Sequence, residues 1–283
     1  MKKKILITGG LGQLGKAFEE RFVKEGIDFF STDKQDFDIS NIDEVEKLMT
    51  QAKPDIVINC AAYNLVDKAE DEPREAFSVN RDGAKNLALL CREKGIFLVH
   101  YGTDYVFDGE KESPYVEEDV PNPLNQYGIS KLAGEKAVED ILNDYLIFRV
   151  SWVFGKGKQN FLYKLNLWAQ EKDTLQITDD EISVPTFAGD IVEGTILSLK
   201  KKLVGLYHMP NSGVCSRYEW AKHFLDKIQK KIELKSALLE SFDLKAKRPK
   251  FSAMSNSKIQ EQAGYAISSW QEATDRFIIK YLT

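Results

Sequence analysis

Apolar residues fall along this chain in two alternating rhythms. Short runs dominated by aliphatic and aromatic side chains occur at residues 3–8, 28–32, 55–59, 96–100 and 145–150. Such runs predict short buried strands of the kind found in a parallel sheet. Between them lie 16–25, 41–50, 73–94 and 131–139, whose spacing predicts helices. Pro73 opens the long third segment, which places Ala76, Val79, Leu87 and Leu90 on its inward side. Strand and helix in turn predict an α/β fold with a doubly wound parallel sheet. After residue 150 the alternation loosens. Helices are expected at 161–171, 187–200 and 218–230, and extended segments at 174–184 and 205–209. The expected organisation is a dinucleotide-binding unit over 1–154 and a smaller C-terminal α/β lobe over 155–283, mainly substrate-binding. The helix near 187–200 returns to the first unit.

Composition narrows what this fold does. Of 283 residues, 43% are hydrophobic and 29% charged, a balance able to bury a core. The net charge of -5 gives no basic footprint, so no nucleic-acid partner is expected. No stretch approaches a membrane span of about 20 apolar residues, and no membrane partner is expected. Met1-Lys2-Lys3-Lys4 leads only into Ile5-Leu6-Ile7, too short for a secretion signal. Cys60, Cys91 and Cys215 are odd in number and lack paired spacing, and His100, His208 and His223 are scattered. A cytoplasmic protein with no metal is expected.

The candidate chemistry begins at Gly9-Gly10-Leu11-Gly12-Gln13-Leu14-Gly15, directly after the first strand and before a helix. In that setting Gly9, Gly12 and Gly15 permit a tight turn and close backbone approach, and a pyrophosphate can sit on the helix N-terminus with Gln13 and Leu14 beside it. The fold is therefore read as Rossmann-type. Asp33 lies eighteen residues beyond Gly15, where a carboxylate holds the ribose of NAD, and Lys34 beside it suits the 2′-phosphate of NADP. Both NADPH and NADH stay open. Asp38-Ile39 is either a rest for the adenine edge or the turn that starts the next helix. Ala61, Ala62 and Tyr63 follow the third strand, where small residues let a cofactor cross the sheet edge. Val66 and Asp67 begin a charged helical segment, solvated or facing the cleft. Asn80 is either a surface amide or a buried brace for the site.

Thr103 ends the fourth strand, followed by Asp104 and Tyr105, and its hydroxyl is placed to meet a substrate carbonyl or simply to close a turn. Tyr127 and Lys131 are four positions apart on one helical face. A phenol titrates near ~10, and a neighbouring ammonium is expected to pull it down and make it a usable general acid. Trp152 sits past another strand end, as a pocket wall or a core residue.

Together Thr8-Gly-x-x-Gly-x-x-Gly15, Thr103 and Tyr127-x-x-x-Lys131 resemble the extended short-chain dehydrogenase/reductase superfamily. Asn59-Cys-Ala-Ala-Tyr63, Thr103-Asp-Tyr-Val-Phe-Asp-Gly109, Arg149-Val-Ser-Trp-Val-Phe-Gly155, Pro185-Thr186 and Arg248-Pro249 resemble its dTDP-4-dehydrorhamnose reductase family across essentially the whole chain. The resemblance implies reduction of the C4 ketone of dTDP-4-dehydro-L-rhamnose to dTDP-L-rhamnose. It implies Tyr127 as general acid, Lys131 on the nicotinamide ribose, and Thr103 on the carbonyl. Val66, Asp67, Asp104, Tyr105, Trp152 and Arg248 are then implied at the dTDP-linked sugar, Arg248 on a phosphate, with a homodimer as a further possibility. Gly102 stands where the family has Ser. Glu181 and Ser183 stand where it has Gln and Gly. These differences keep another nucleotide-linked 4-keto-6-deoxy sugar open as substrate. A non-catalytic regulatory subunit like that of methionine adenosyltransferase is the reading from a different class.

Overall fold

The computed structural model describes residues 3–282. Met1, Lys2 and Thr283, at the ends of the two expected units, lie outside the described residues. The chain opens with β1 (Ile5–Thr8), α1 (Gln13–Glu25), β2 (Phe29–Thr32), α2 (Ile42–Ala52) and β3 (Ile56–Asn59). It continues through α3 (Val66–Asp71), α4 (Pro73–Phe77), a π-helical turn (Ser78–Gly83) and α5 (Ala84–Lys94) to β4 (Phe97–Thr103). Next come α6 (Gln126–Ile141) and β5 (Tyr145–Val150). The later chain holds β6 (Val153–Phe154), α7 (Phe161–Glu171), β7 (Thr174–Thr178), β8 (Ile182–Ser183), β9 (Thr186–Phe187) and α8 (Ala188–Lys201). It closes with β10 (Gly205–His208), β11 (Cys215–Ser216), α9 (Arg217–Lys227), β12 (Glu233–Ala237), α10 (Ser257–Ala263) and α11 (Trp270–Tyr281).

Six strands form one parallel sheet in the order β10-β5-β4-β3-β1-β2. This is the expected α/β, Rossmann-type, doubly wound sheet. β1 and β3 are fully buried apolar runs, as strands covered by helices on both faces must be. The order reverses between β1 and β3, and in such sheets ligands bind outside the strand C-termini at that reversal. Thr8 is level with Thr32 and Asn59, and Asn59 with His100. β4 runs beyond that line to Thr103, paired with Val150, so its last residues stand at the lip of the crevice.

One face of the sheet packs Phe18, Phe22, Tyr101, Phe148, Ile191 and Ile259. The other packs Val45, Met49, Leu87, Leu98 and Val138. A separate core of Phe154, Leu165, Trp220, Phe224, Trp270 and Phe277 belongs to the later segments. The helix expected near 187–200 is α8, and it packs on the first core, with Arg21 of α1 bridged to Glu193 at 2.6 Å. The return is larger than the hydrophobic pattern suggested. β10 joins the main sheet beside β5, and Ile259 and Ala263 of α10 pack under it. β5 is buried on both faces at Leu146, Ile147 and Phe148, so leaving it as an edge would expose its unpaired amides.

The long helix expected over 73–94 is continuous in direction but rewound at Ser78–Gly83. Such π turns shift the residues after them around the helix axis. Here the turn buries Asn80, whose side-chain Oδ1 accepts from the Tyr63 amide at 2.8 Å. Its amide nitrogen donates to the Tyr63 carbonyl at 3.1 Å and to Ser130 Oγ at 2.9 Å. Ser130 in turn donates to the Tyr127 carbonyl at 2.7 Å. Asn80 is thus a brace, tying the β3–α3 loop to α6.

Candidate active site

A cleft of about 1270 Å³ runs along the strand C-termini and under the later segments. Gly12, Gln13, Leu14, Ala62, Val66, Thr103, Asp104, Tyr105, Tyr127, Lys131, Trp152 and Arg248 of the expected set line it. Gly9, Gly15, Asp33, Lys34, Asp38, Ile39, Ala61, Tyr63 and Asp67 are not among its lining residues.

The glycine loop fits an anion. Gly12 precedes α1 with no side-chain cap, and the first turn has no acidic residue, so its amide groups and positive dipole end stay available. Gly9 adopts φ 69°, and a Cβ there would meet the Ala61 backbone at 2.6 Å. Gly9→Ala is expected to strain this turn and push the loop from β3, weakening cofactor binding. Fluorescence titration with NADPH or NADH checks it, and unchanged affinity would remove the loop from the site. Gln13 Oε1 accepts from Asn160 at 2.9 Å, which also caps α7, so the loop is tied to the second core.

At the end of β2, Asp33 Oδ2 accepts from the Leu11 amide at 2.9 Å and Oδ1 from the Lys34 amide at 2.8 Å. Asp33 therefore braces the glycine loop while standing beside an exposed Lys34. Asp38 and Ile39 lie in the turn that precedes α2. Asp38 Oδ1 accepts from the amide and hydroxyl of Ser40, closing the turn before α2. Ile39 is buried in the core against α5. Tyr63 turns its hydroxyl to Glu72 at 3.1 Å.

Thr103, Tyr127 and Lys131 converge at the base of the cleft. Asn125 caps α6 through the Gly128 amide at 2.8 Å, which starts the helix just before Tyr127. Thr103 Oγ1 donates to Asp104 Oδ1 at 3.2 Å, accepts from the Tyr105 amide at 3.2 Å, and hydrogen-bonds the Tyr127 phenol. The electrostatics differ from the sequence expectation. Burial pushes the Tyr127 phenol up to about 12, with the Thr103 hydrogen bond opposing. Lys131 does not lower it, because its Nζ donates to the Tyr101 carbonyl at 2.6 Å. Burial pulls Lys131 itself down to about 8, against the attraction of Glu135. Helical spacing placed the two residues on one face, but the lysine's length let it reach a β4 carbonyl instead.

Three expected substrate contacts are engaged within the protein. Asp104 is buried and accepts from Ser183 at 2.9 Å, Ser252 at 2.6 Å and Thr103, while burial raises its carboxyl to about 6. It holds the Thr103 hydroxyl rather than presenting a free carboxylate. Arg248 forks onto Asp67, at 3.0 Å and 2.6 Å, and Asp67 also accepts from the Ala246 amide. The Arg248 guanidinium holds the Asp67 carboxyl below its usual range. Of the two, Arg248 lines the cleft, and a bidentate fork onto a carboxylate is among the stronger hydrogen-bond arrangements.

The Gly102 difference also has a local reason. A Cβ at Gly102 would lie 2.0 Å from Oε1 of Glu135, whose Oε2 is paired with the buried Arg149 at 2.8 Å. A side chain there would point at that ion pair.

Sequence reasoning missed Arg217, Lys158, Lys164, Lys172 and Lys235, all cleft-lining and all far along the chain. Glu181 also lines the cleft, and Arg217 Nε sits 3.4 Å from its carboxylate. Among the described residues, no three His, Cys, Asp or Glu side chains are grouped to hold a metal ion.

Comparison with known proteins adds to this geometry. The family model described as RmlD substrate binding domain matches residues 2–283. The dTDP-4-dehydrorhamnose reductase of Sinorhizobium fredii is 34% identical, over 97% of this chain and 96% of the relative. That of Escherichia coli K12 is 32% identical, over 99% and 98%. The crystal structure of dTDP-4-dehydrorhamnose reductase from Bacillus anthracis in complex with NADP superposes with a TM-score of 0.95. It is 36% identical, over 99% of this chain and 100% of that one.

Proposed function

Since the chain belongs to the RmlD substrate binding domain family, we propose that it is an NAD(P)H-dependent dTDP-4-dehydrorhamnose reductase, with dTDP-4-dehydro-L-rhamnose as substrate. The observation that carries this is the convergence of Thr103, Tyr127 and Lys131 at the base of a cleft that also contains the uncapped N-terminus of α1. When bound there, a nicotinamide cofactor supplies the hydride. The residues supply the rest. Gly12, Gln13 and the first amides of α1 would hold the cofactor's diphosphate. Thr103 Oγ1 orients the C4 carbonyl oxygen by turning its one proton to it from Asp104, which Ser183 and Ser252 hold in place.

Tyr127 is protonated throughout the neutral range, since its phenol titrates near 12. It gives its proton to the oxygen as negative charge develops there. Lys131, its Nζ held on the Tyr101 carbonyl, places an ammonium beneath the site where it would hold the ribose of the nicotinamide. The reading includes a cytoplasmic location and a homodimer, which sedimentation would test. Among the described residues, no helix is long and apolar enough to cross a membrane.

The test is loss of reduced-nicotinamide absorbance with dTDP-4-dehydro-L-rhamnose, run with NADPH and NADH in parallel. Turnover with dTDP-L-rhamnose as product is expected. No turnover despite cofactor binding would move the assignment to another 4-keto-6-deoxy sugar.

The pH profile offers a second check. Lys131 is lowered to about 8, so its ammonium persists below that value and is lost as pH rises through it. kcat/KM is expected to fall above about pH 8, and the Lys131→Met variant should lack that limb. Stability should move the other way. Between about 8 and the ordinary lysine value the unfolded chain binds the extra proton, so folding is favoured as pH rises. A profile flat through pH 8–9 would remove Lys131's charge from the mechanism.

A further inference from the structure

Glu181 and Arg217 face the cleft with no catalytic task in the reading above. Glu181 is 7% exposed, accepts from the Tyr105 hydroxyl at 3.3 Å and faces Arg217 Nε at 3.4 Å. Arg217 is the first residue of α9, where a Ser216–Glu219 capping box fixes the backbone. Its guanidinium carbon lies 3.5 Å from the centre of the Trp152 ring and 5.3 Å from that of Phe161. Trp152 is itself held at φ 42°, a left-handed conformation that a bulky residue keeps only where its surroundings enforce it. Groups from the end of β5, the turn before β8, α7 and α9 thus fix one guanidinium in the wall.

That placement changes what the wall offers. An exposed indole face would give the apolar face of a sugar ring a platform to stack on. Here a cation covers a face of Trp152. The guanidinium carries five N–H donors in a rigid plane. Its Nε is turned to Glu181, and the side chain, 19% exposed, lines the cleft. Tyr105, the other partner of Glu181, stands edge-on to Tyr127 with ring centres 5.9 Å apart. The pair is therefore one side chain removed from the proton donor, at the sugar end of the cleft.

We propose that Arg217 is a specificity-determining residue that, with Glu181, reads the hydroxyl pattern of the hexose on the nucleotide-linked substrate. A ring hydroxyl accepts from the guanidinium and donates to the carboxylate at once. A deoxy carbon or an inverted centre at that position leaves these charged groups unmatched, the kind of loss a site built for a hydroxyl penalises most. The inference rests on the nucleotide-sugar reading and specifies it.

Calorimetry tests it by comparing dTDP with dTDP-L-rhamnose on the wild type, Arg217→Ala, Arg217→Lys and the double variant Glu181→Gln/Arg217→Ala, alongside KM and kcat for the keto-sugar. Arg217→Ala is expected to weaken dTDP-L-rhamnose and raise KM by about ten- to a hundredfold, the range for a hydrogen bond to a charged group. dTDP affinity should hold. Arg217→Lys keeps the charge but not the planar fork and should lose most of the same discrimination. The double variant leaves no unpaired carboxylate, so the same selective loss there separates recognition from packing. Equal weakening of dTDP and dTDP-L-rhamnose would move Arg217 to the nucleotide end and overturn the proposal, as would no change in either. Wild-type protein that binds both ligands alike overturns it too. Failure of the reductase reading is seen separately, as wild-type protein that binds dTDP-L-rhamnose selectively yet turns over no keto-sugar.

Discussion

Tyr127→Phe is expected to lower turnover by a factor of about 10² to 10⁴, the range for losing a positioned general acid. Cofactor affinity should stay close to wild type. The ring carbons remain, so the edge-on contact with Tyr105 at 5.9 Å survives and the cleft keeps its shape. What disappears is the phenolic proton next to the Thr103 hydroxyl. With a phenol near 12, the wild-type residue never competes as a phenolate at neutral pH and always has a proton to give. The measurement is steady-state turnover of the keto-sugar, with cofactor affinity taken separately by fluorescence. A variant with full kcat would show that solvent or another group donates the proton.

Glu135→Ala should be the most destabilising single change near the site, at about 3–5 kcal/mol, the cost of leaving one charge of a buried pair alone. Arg149 is 4% exposed and Glu135 1%, and they meet at 2.8 Å behind Gly102. Arg149 also lies over the Phe107 ring at 5.3 Å, in a layer water does not reach. Urea unfolding of wild type, Glu135→Ala and the apolar double variant Glu135→Leu/Arg149→Met would measure this. The double variant should recover most of the loss, since apolar replacements leave no unpaired charge. An unshifted midpoint for Glu135→Ala would mean that water or local rearrangement already solvates Arg149. Because Gly102 leads directly into Thr103, this pair also sets where the lip of β4 stands.

The alternating sheet and helices were legible because burial repeats every second residue in a strand and every third or fourth in a helix. That is a local property, and it located β1 to β5 and α1 to within a few residues. The glycine loop was legible for a related reason. Its meaning depends only on the strand before and the helix after it, and the N-terminus of α1 is built from those neighbours alone. β10 was placed too, but not its partner. Its short run carries no mark of β5, some sixty positions earlier.

The site divides along the same line. The sequence by itself determined the parallel sheet, the uncapped helix for a diphosphate, and the order in which Thr103, Tyr127 and Lys131 reach one crevice. Tertiary structure alone decided whom each charged side chain meets. It turned Lys131 from Tyr127 to the Tyr101 carbonyl, and drew Arg248 onto Asp67 across 181 positions of chain. It also brought Arg217 onto Trp152 and Glu181. Periodicity records whether a residue is buried, which each segment settles for itself. The choice of partner, and the shift in acidity that follows, depends on distances between segments that only packing fixes.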